Sequence, residues 1–170
     1  REKHPGVILI LVPRHIDRVP RVEKLLTQMG LSDYILRSRL EAGGRMGKSI
    51  VLWDTFGELF KVYAIASLVF CGASLVPKRG QNILEPAAWG KPVLYGPSME
   101  DFMDAKELLE GCFAGIMVRS AAELAEKGNH LLEHPQELIN RGKLAREGVL
   151  SNQGATRRNV ELAIRLLEGP

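Results

Sequence analysis

The sequence is poor in the residues that staple or metallate small proteins. Its 170 residues include two cysteines, Cys71 and Cys112, and four histidines, at positions 4, 15, 130 and 134. Two cysteines make no disulfide framework, and a reducing compartment is the simpler expectation. Cys71 lies inside an apolar run, as a small buried hydrophobe does. The histidines lack zinc-site spacing, so no metal centre is expected. No apolar run approaches the ~20 residues a membrane span needs. The most apolar stretch, VYAIASLVFCGA, covers only 62–73. Internal repeats and low-complexity tracts are absent. The net charge is only +3. That is too small an excess to argue for nucleic acid, and it suits a small anionic ligand or an acidic membrane surface equally.

What is present is the composition of a soluble globular protein, 45% hydrophobic and 25% charged. The length suffices for one core of ordinary size and not for two comfortable domains. Short apolar runs recur: VILILV (7–12), YIL (34–36), SIVLW (49–53), SLVFCG (67–72), PVLYG (92–96) and GIMV (115–118). Helical patterns separate them, at RVEKLLTQMG, at 56–66, 101–111 and 120–134, and through the tail from residue 135. Gly30 ends the first as a C′ residue would. Strands alternating with helices predict a parallel α/β sheet, doubly wound and Rossmann-like, in three α/β/α layers. Solid apolar strands fit a sheet covered on both faces. Such folds bind ligands at the carboxyl ends of their strands. The opening REKHPGVILILVPRH reads as a helix end followed at once by a strand. We therefore expect a single domain over 1–170 that begins inside a larger fold.

AGGRMGKS at 42–49 matches a relaxed phosphate-loop pattern. That mechanism needs a strand before the loop and a helix opening at Lys-Ser. Here Lys48 and Ser49 run into a strand, which predicts a solvated connector instead. A better candidate is GASLVPKRGQNILEPAAWGKPVLYGP, at 72–97. It predicts a strand, a glycine-bearing basic loop, a helix closed by Gly90, and a further strand. Free N–H groups and the dipole at a helix start suit a phosphate. Lys78 and Arg79 add positive charge, and Gly80 lets a ligand approach the backbone. Asn82 and Glu85 have two readings. They can form a capping box, with Asn82 as N-cap and Glu85 at N3. Alternatively the Glu85 carboxylate accepts both hydroxyls of a ribose diol.

SLVPKRGQNILEPAAWGKPVLYGP resembles the donor-site segment of the 3-deoxy-D-manno-octulosonic acid (Kdo) transferases of lipopolysaccharide assembly. VPRHIDR (12–18) resembles that family's Pro-Arg-His-Pro-Glu-Arg stretch. WDTFGELFKVYAIASLVF (53–70) resembles its Asp-Thr-x-Gly-Glu-Leu segment. The chain departs from the pattern at Arg79, where the family usually has glycine, at Ile16 and Asp17, and at Asp101, where asparagine is frequent.

The resemblance implies one half of a GT-B glycosyltransferase, the half that binds the donor CMP-Kdo. It implies transfer of Kdo to a lipid A precursor, with inversion and without metal or cofactor. The general base and the membrane anchor would lie in an N-terminal acceptor domain outside this chain, so the chain alone is expected to be inactive. The whole enzyme would work at the cytoplasmic side of the bacterial inner membrane. Its partners would be donor, acceptor and its own N-terminal domain, with no nucleic acid. Carried over by position, Arg14 would face the CMP moiety, Ser74 and the Gly80-Gln81-Asn82 turn the phosphate, and Glu85 the ribose. Arg14 also has a plainer reading, an ion pair with Asp17 or Glu23, and His15 that of a turn residue. Asp54 or Thr55 reads as an N-cap, with a donor-site role for the Asp54–Glu58 turn as the alternative. Another GT-B enzyme, a UDP-sugar epimerase, or a non-catalytic nucleotide- or anion-binding module remain competing readings.

Overall fold

The computed structural model describes residues 4–40, 44, 47–154, 160, 163, 164 and 167. Each apolar run forms a strand: β1 (Leu9–Leu11), β2 (Tyr34–Leu36), β3 (Ile50–Leu52), β4 (Val69–Cys71), β5 (Val93–Tyr95) and β6 (Gly115–Met117). The helices are α1 (Val19–Gln28), α2 (Leu59–Ile65), α3 (Leu84–Ala88), α4 (Met103–Gly111), α5 (Ala121–Glu133) and α6 (Pro135–Ser151). The further tail helix expected beyond residue 154 falls largely outside the described residues. Among the described residues, no helix is long and apolar enough to cross a membrane.

The six strands pair in parallel, in two three-stranded ladders ordered β1-β3-β2 and β4-β5-β6. The chain divides into two compact units, Arg1–Val62 and Tyr63–Pro170, with the division inside α2. Each unit has its own sheet, covered on both faces.

In the first unit, side chains alternate about the central strand. Ile50 and Leu52 pack with Val19 and Leu26 of α1, while Val51 and Trp53 pack with Val62 of α2. In the second unit the central strand β5 does the same. Val93 and Tyr95 face Ala87 of α3, Ala105 and Leu109 of α4, and Ala145 of α6. Leu94 faces Val118 and Leu131 of α5. All three β5 side chains are fully buried, each contributing about 1.5–3 kcal/mol. This alternation places helices on both sides and gives the Rossmann-like, three-layer class expected from the sequence. The splitting of the strands into two ladders was not visible in their pattern.

Glycine allows one close helix contact. Gly90 closes α3 with φ +68°, and its carbonyl seats against α6 at Gly142, where a Cβ would stand 2.2 Å from that oxygen. α3 and α6 are thereby joined backbone to backbone.

Candidate functional site

Because β4, β5 and β6 run parallel, their carboxyl ends share one edge, and the loops after β4 and β5 meet there. The join is made by Ser74. Its side chain is wholly buried. Its hydroxyl donates to the Cys71 carbonyl at 2.6 Å and accepts from the Gly96 N–H at 2.7 Å. Its carbonyl accepts from the Ser98 N–H at 3.0 Å. Gly96 has to be glycine, since a Cβ there would lie 2.2 Å from the Ser74 oxygen. Ser74 was expected at the phosphate. Its hydroxyl is engaged at both ends inside the protein, where it pins the loop after β4 to the loop after β5.

A second fastening follows. The Arg79 N–H donates to the Ser98 hydroxyl at 2.9 Å, and that hydroxyl donates to Glu100 at 2.8 Å. The Arg79 Nε donates to Asp101 at 2.7 Å. Arg79 and Gly80 are both left-handed, with φ +67° and +77°. At Gly80 both that conformation and the space favour glycine, because a Cβ would meet the Met99 sulfur at 2.5 Å and the Ser98 carbonyl at 3.0 Å. For Arg79 it is a conformation that side chains other than glycine seldom adopt.

The Gly80 N–H donates to the Ala73 carbonyl at 3.1 Å. It is therefore engaged within the turn. Among the described residues, the N–H groups of Gln81 and Asn82 donate to no protein acceptor.

The capping box expected at Asn82 and Glu85 is not formed. The N-cap of α3 is Ile83. Asn82 instead makes an Asx turn, its Oδ1 accepting from the Leu84 N–H at 3.0 Å. Its amide nitrogen reaches Glu85 Oε1 at 3.3 Å. Glu85 is half-buried, with lone pairs left over beyond that single long contact. Burial first, and the Glu85 charge after it, push the Cys71 thiol up to about 12. Cys71 is therefore a core thiol, as its apolar surroundings predicted.

The first unit has its own carboxyl-end edge. Arg14 and His15 follow β1 and are exposed. Arg14 forms no ion pair among the described residues; Glu23, one of its expected partners, accepts from the Tyr34 hydroxyl at 2.9 Å. His15 precedes a short 3-10 turn and makes no cap bond, which fits a turn residue. Asp54 and Thr55 do not cap α2. Asp54 accepts from the Ser38 N–H at 2.8 Å and from its hydroxyl. Thr55 donates to Glu58, which also receives Arg37 at 2.9 Å. The Thr55 hydroxyl above all holds the Glu58 carboxyl below the usual range; desolvation opposes it, and Arg37 adds to the lowering. Arg37 lies over the Trp53 ring, 5.3 Å from its centroid. Lys48 pairs with Asp33 at 3.6 Å, and Ser49 runs directly into β3. The order is that of a connector before a strand. Residues 42, 43, 45 and 46 of AGGRMGKS lie outside the described residues.

Sequence reasoning gathered Ser74, Gly80, Gln81, Asn82 and Glu85, which the structure places on one loop and helix start. It missed Ser98 as a fastening and the union of Arg79 with Asp101. Polar residues just past strand ends were the one available indication of both.

No protein-family model matches the chain. Curated proteins do. The chain is 34% identical over 138 residues to the 3-deoxy-D-manno-octulosonic acid transferase of Aquifex aeolicus, covering 81% of this chain and 37% of that protein. To the Haemophilus influenzae transferase of the same name it is 33% identical over 167 residues, 98% of this chain and 39% of that one. A bifunctional glycosyltransferase/methyltransferase of Fusobacterium nucleatum is 41% identical over 104 residues, 60% of this chain and 16% of its own length. Among solved structures, the C-terminal CMP-Kdo binding domain of WaaA from Acinetobacter baumannii aligns with a TM-score of 0.78 and 25% identity, covering 87% of this chain and 76% of that one. The chain spans less than two fifths of the length of these relatives.

Fold and likeness together define the class, a Rossmann-like α/β structure of the kind that makes up one half of GT-B glycosyltransferases. Within it, the chain resembles in sequence and in fold the C-terminal domain of the 3-deoxy-D-manno-octulosonic acid transferases.

Proposed function

We propose that this chain is the donor-binding half of a Kdo transferase. The observation that carries the reading is the fold match to a CMP-Kdo binding domain over 87% of the chain. The turn after β4 supports it chemically. CMP is the leaving group of such a transfer, so its phosphate gains negative charge in the transition state. Fixed N–H donors aimed at that charge stabilise it without reorganising. Gln81 and Asn82 supply such donors, on a loop fastened by Ser74 and Ser98. Glu85 accepts the ribose hydroxyls. The resemblance also assigns Arg14 to the CMP moiety.

In this reading the whole enzyme inverts the anomeric centre without a metal, and works on a lipid A precursor at the cytoplasmic side of the inner membrane. The base comes from a partner domain. A general base contributes about 10²–10⁴-fold and positioning of the reactants more. The chain alone is therefore expected to bind CMP and transfer nothing.

The test is calorimetric titration of CMP into the wild type, Glu85→Gln and Arg14→Ala. Glutamine keeps the acceptor for Asn82 and removes the charge. The expected loss for Glu85→Gln is about 1–3 kcal/mol, roughly five- to 150-fold in affinity. Equal affinities in folded proteins would leave Glu85 a purely local contact. The 41% identity to a bifunctional glycosyltransferase/methyltransferase favours a second reading, a GT-B enzyme using another sugar nucleotide. UMP outcompeting CMP would select it.

A further inference from the structure

We propose that Arg79 and Asp101 form a positioning pair for the donor phosphate: the pair holds the turn after β4 so that the Gln81 and Asn82 N–H groups face the ligand. The inference rests on the donor-site reading above and deepens it.

Arg79 is tied twice to the segment after β5, by its N–H to Ser98 and by its guanidinium to Asp101. Ser74, earlier in the turn, is likewise held to that segment by its hydroxyl and its carbonyl, but Arg79 is the residue so held next to the Gly80-Gln81-Asn82 stretch. It is also the one charged residue of the turn that stands in a left-handed conformation. A long side chain in that conformation is disfavoured, so something else has to hold it. The guanidinium bond to Asp101 does so from outside the turn. The next residue, Gly80, donates its own N–H to Ala73, and the N–H groups of Gln81 and Asn82 that follow donate to no protein acceptor among the described residues. Their direction is therefore set by the two left-handed residues before them. Both members of the pair are exposed, with side-chain exposures of 61% and 51%. An exposed ion pair contributes little to global stability. Its effect is expected in the local geometry of the turn.

Arg79 could instead touch the phosphate directly, with Asp101 merely competing for it. The two roles differ in sign. If Arg79 contacts the phosphate, releasing it with Asp101→Asn strengthens CMP binding. If the pair positions the turn, the same change weakens it.

The experiment titrates CMP and cytidine, which lacks the phosphate, into four proteins: wild type, Arg79→Gly, Asp101→Asn, and the exchange Arg79→Asp with Asp101→Arg. Aspartate tolerates the left-handed region, so the exchanged pair can form. Thermal unfolding is recorded for each. We expect Asp101→Asn to lower the ratio of CMP to cytidine affinity by about three- to tenfold. We expect a melting temperature within about 2 °C of wild type, and recovery of most of the ratio in the exchanged protein. An unchanged or increased ratio in Asp101→Asn overturns the inference, as does failure of the exchange to recover it. A ratio that falls only in step with stability also overturns it, because the pair would then be purely structural. Wild-type protein that binds neither CMP nor cytidine overturns the donor-site reading itself, and the pair's role with it.

Discussion

Replacing Ser74 with alanine removes one oxygen from a fully buried position and strands two backbone groups. The Gly96 N–H loses its acceptor at 2.7 Å, and the Cys71 carbonyl loses its donor at 2.6 Å. A buried polar group left unpaired costs about 1–3 kcal/mol. The N–H should bear the fuller penalty, since a carbonyl with two lone pairs tolerates one loss better. Together they predict a destabilisation of about 2–4 kcal/mol. For a chain of this length each kcal/mol lowers the melting temperature by roughly 2–4 °C. Ser74→Ala should therefore melt about 4–16 °C below wild type, with a matching shift of the urea midpoint. The same samples are titrated with CMP at a temperature where both are folded. The buried geometry predicts that affinity changes far less than stability. A melting point within about 2 °C of wild type, accompanied by a large loss of CMP affinity, would refute the reasoning. It would mean that the hydroxyl faces the ligand and that the two loops are fastened elsewhere.

Gly96→Ala should cost about 1–3 kcal/mol or more in urea unfolding, because its methyl group has to displace the Ser74 backbone. At pH 8 a thiol reagent should label Cys112 and leave Cys71 unreacted until the protein unfolds, since burial holds the Cys71 thiol at about 12. Glu137 is bonded by Arg141 and then by His130, which hold its carboxyl below the ordinary range. A depressed folded pKa gives stability that is complete above the ordinary carboxylate range and disappears as pH falls through the folded value. Melting curves from pH 7 to 3 should accordingly drop more steeply for wild type than for Glu137→Gln. Lys48→Ala should leave ATP titrations featureless and stability within about 1 kcal/mol, as its partner Asp33 is a surface pairing.

The strands were legible because each is a short, solid apolar run, and burial on both faces is what such runs require. β3 and β5 are the clearest cases, central in their ladders and buried throughout. The start of α3 was read less well. Asn82 and Glu85 have the spacing of a capping box, but the side chain of Asn82 serves the N–H two residues on, and α3 begins later and is short. Nothing in a one-dimensional pattern separates those two uses of an asparagine. Ser74 was legible as a residue of the loop, but its burial was not. A serine in a glycine-bearing loop reads as a ligand contact, and its burial depends on Gly96 making room from a different loop. Arg79 and Asp101 were each visible as departures from a family pattern. Their pairing is a fact of folding that brings the segments after β4 and β5 together.

The contact between Gly90 and Gly142 reaches further than packing. α3 is too short to hold its own direction, and the backbone that leaves it is wedged under a helix from the last quarter of the chain. Removing α6, or giving position 142 any side chain, would loosen α3 on that side and leave it held by Ile83 and Ala87 against β5. The aim of the Gln81 and Asn82 donors would then drift while every residue of their own loop stayed intact. In the donor-site reading, losses of nucleotide affinity are thus to be looked for among substitutions far along the sequence, in a helix remote from the Gln81-Asn82 turn in the chain.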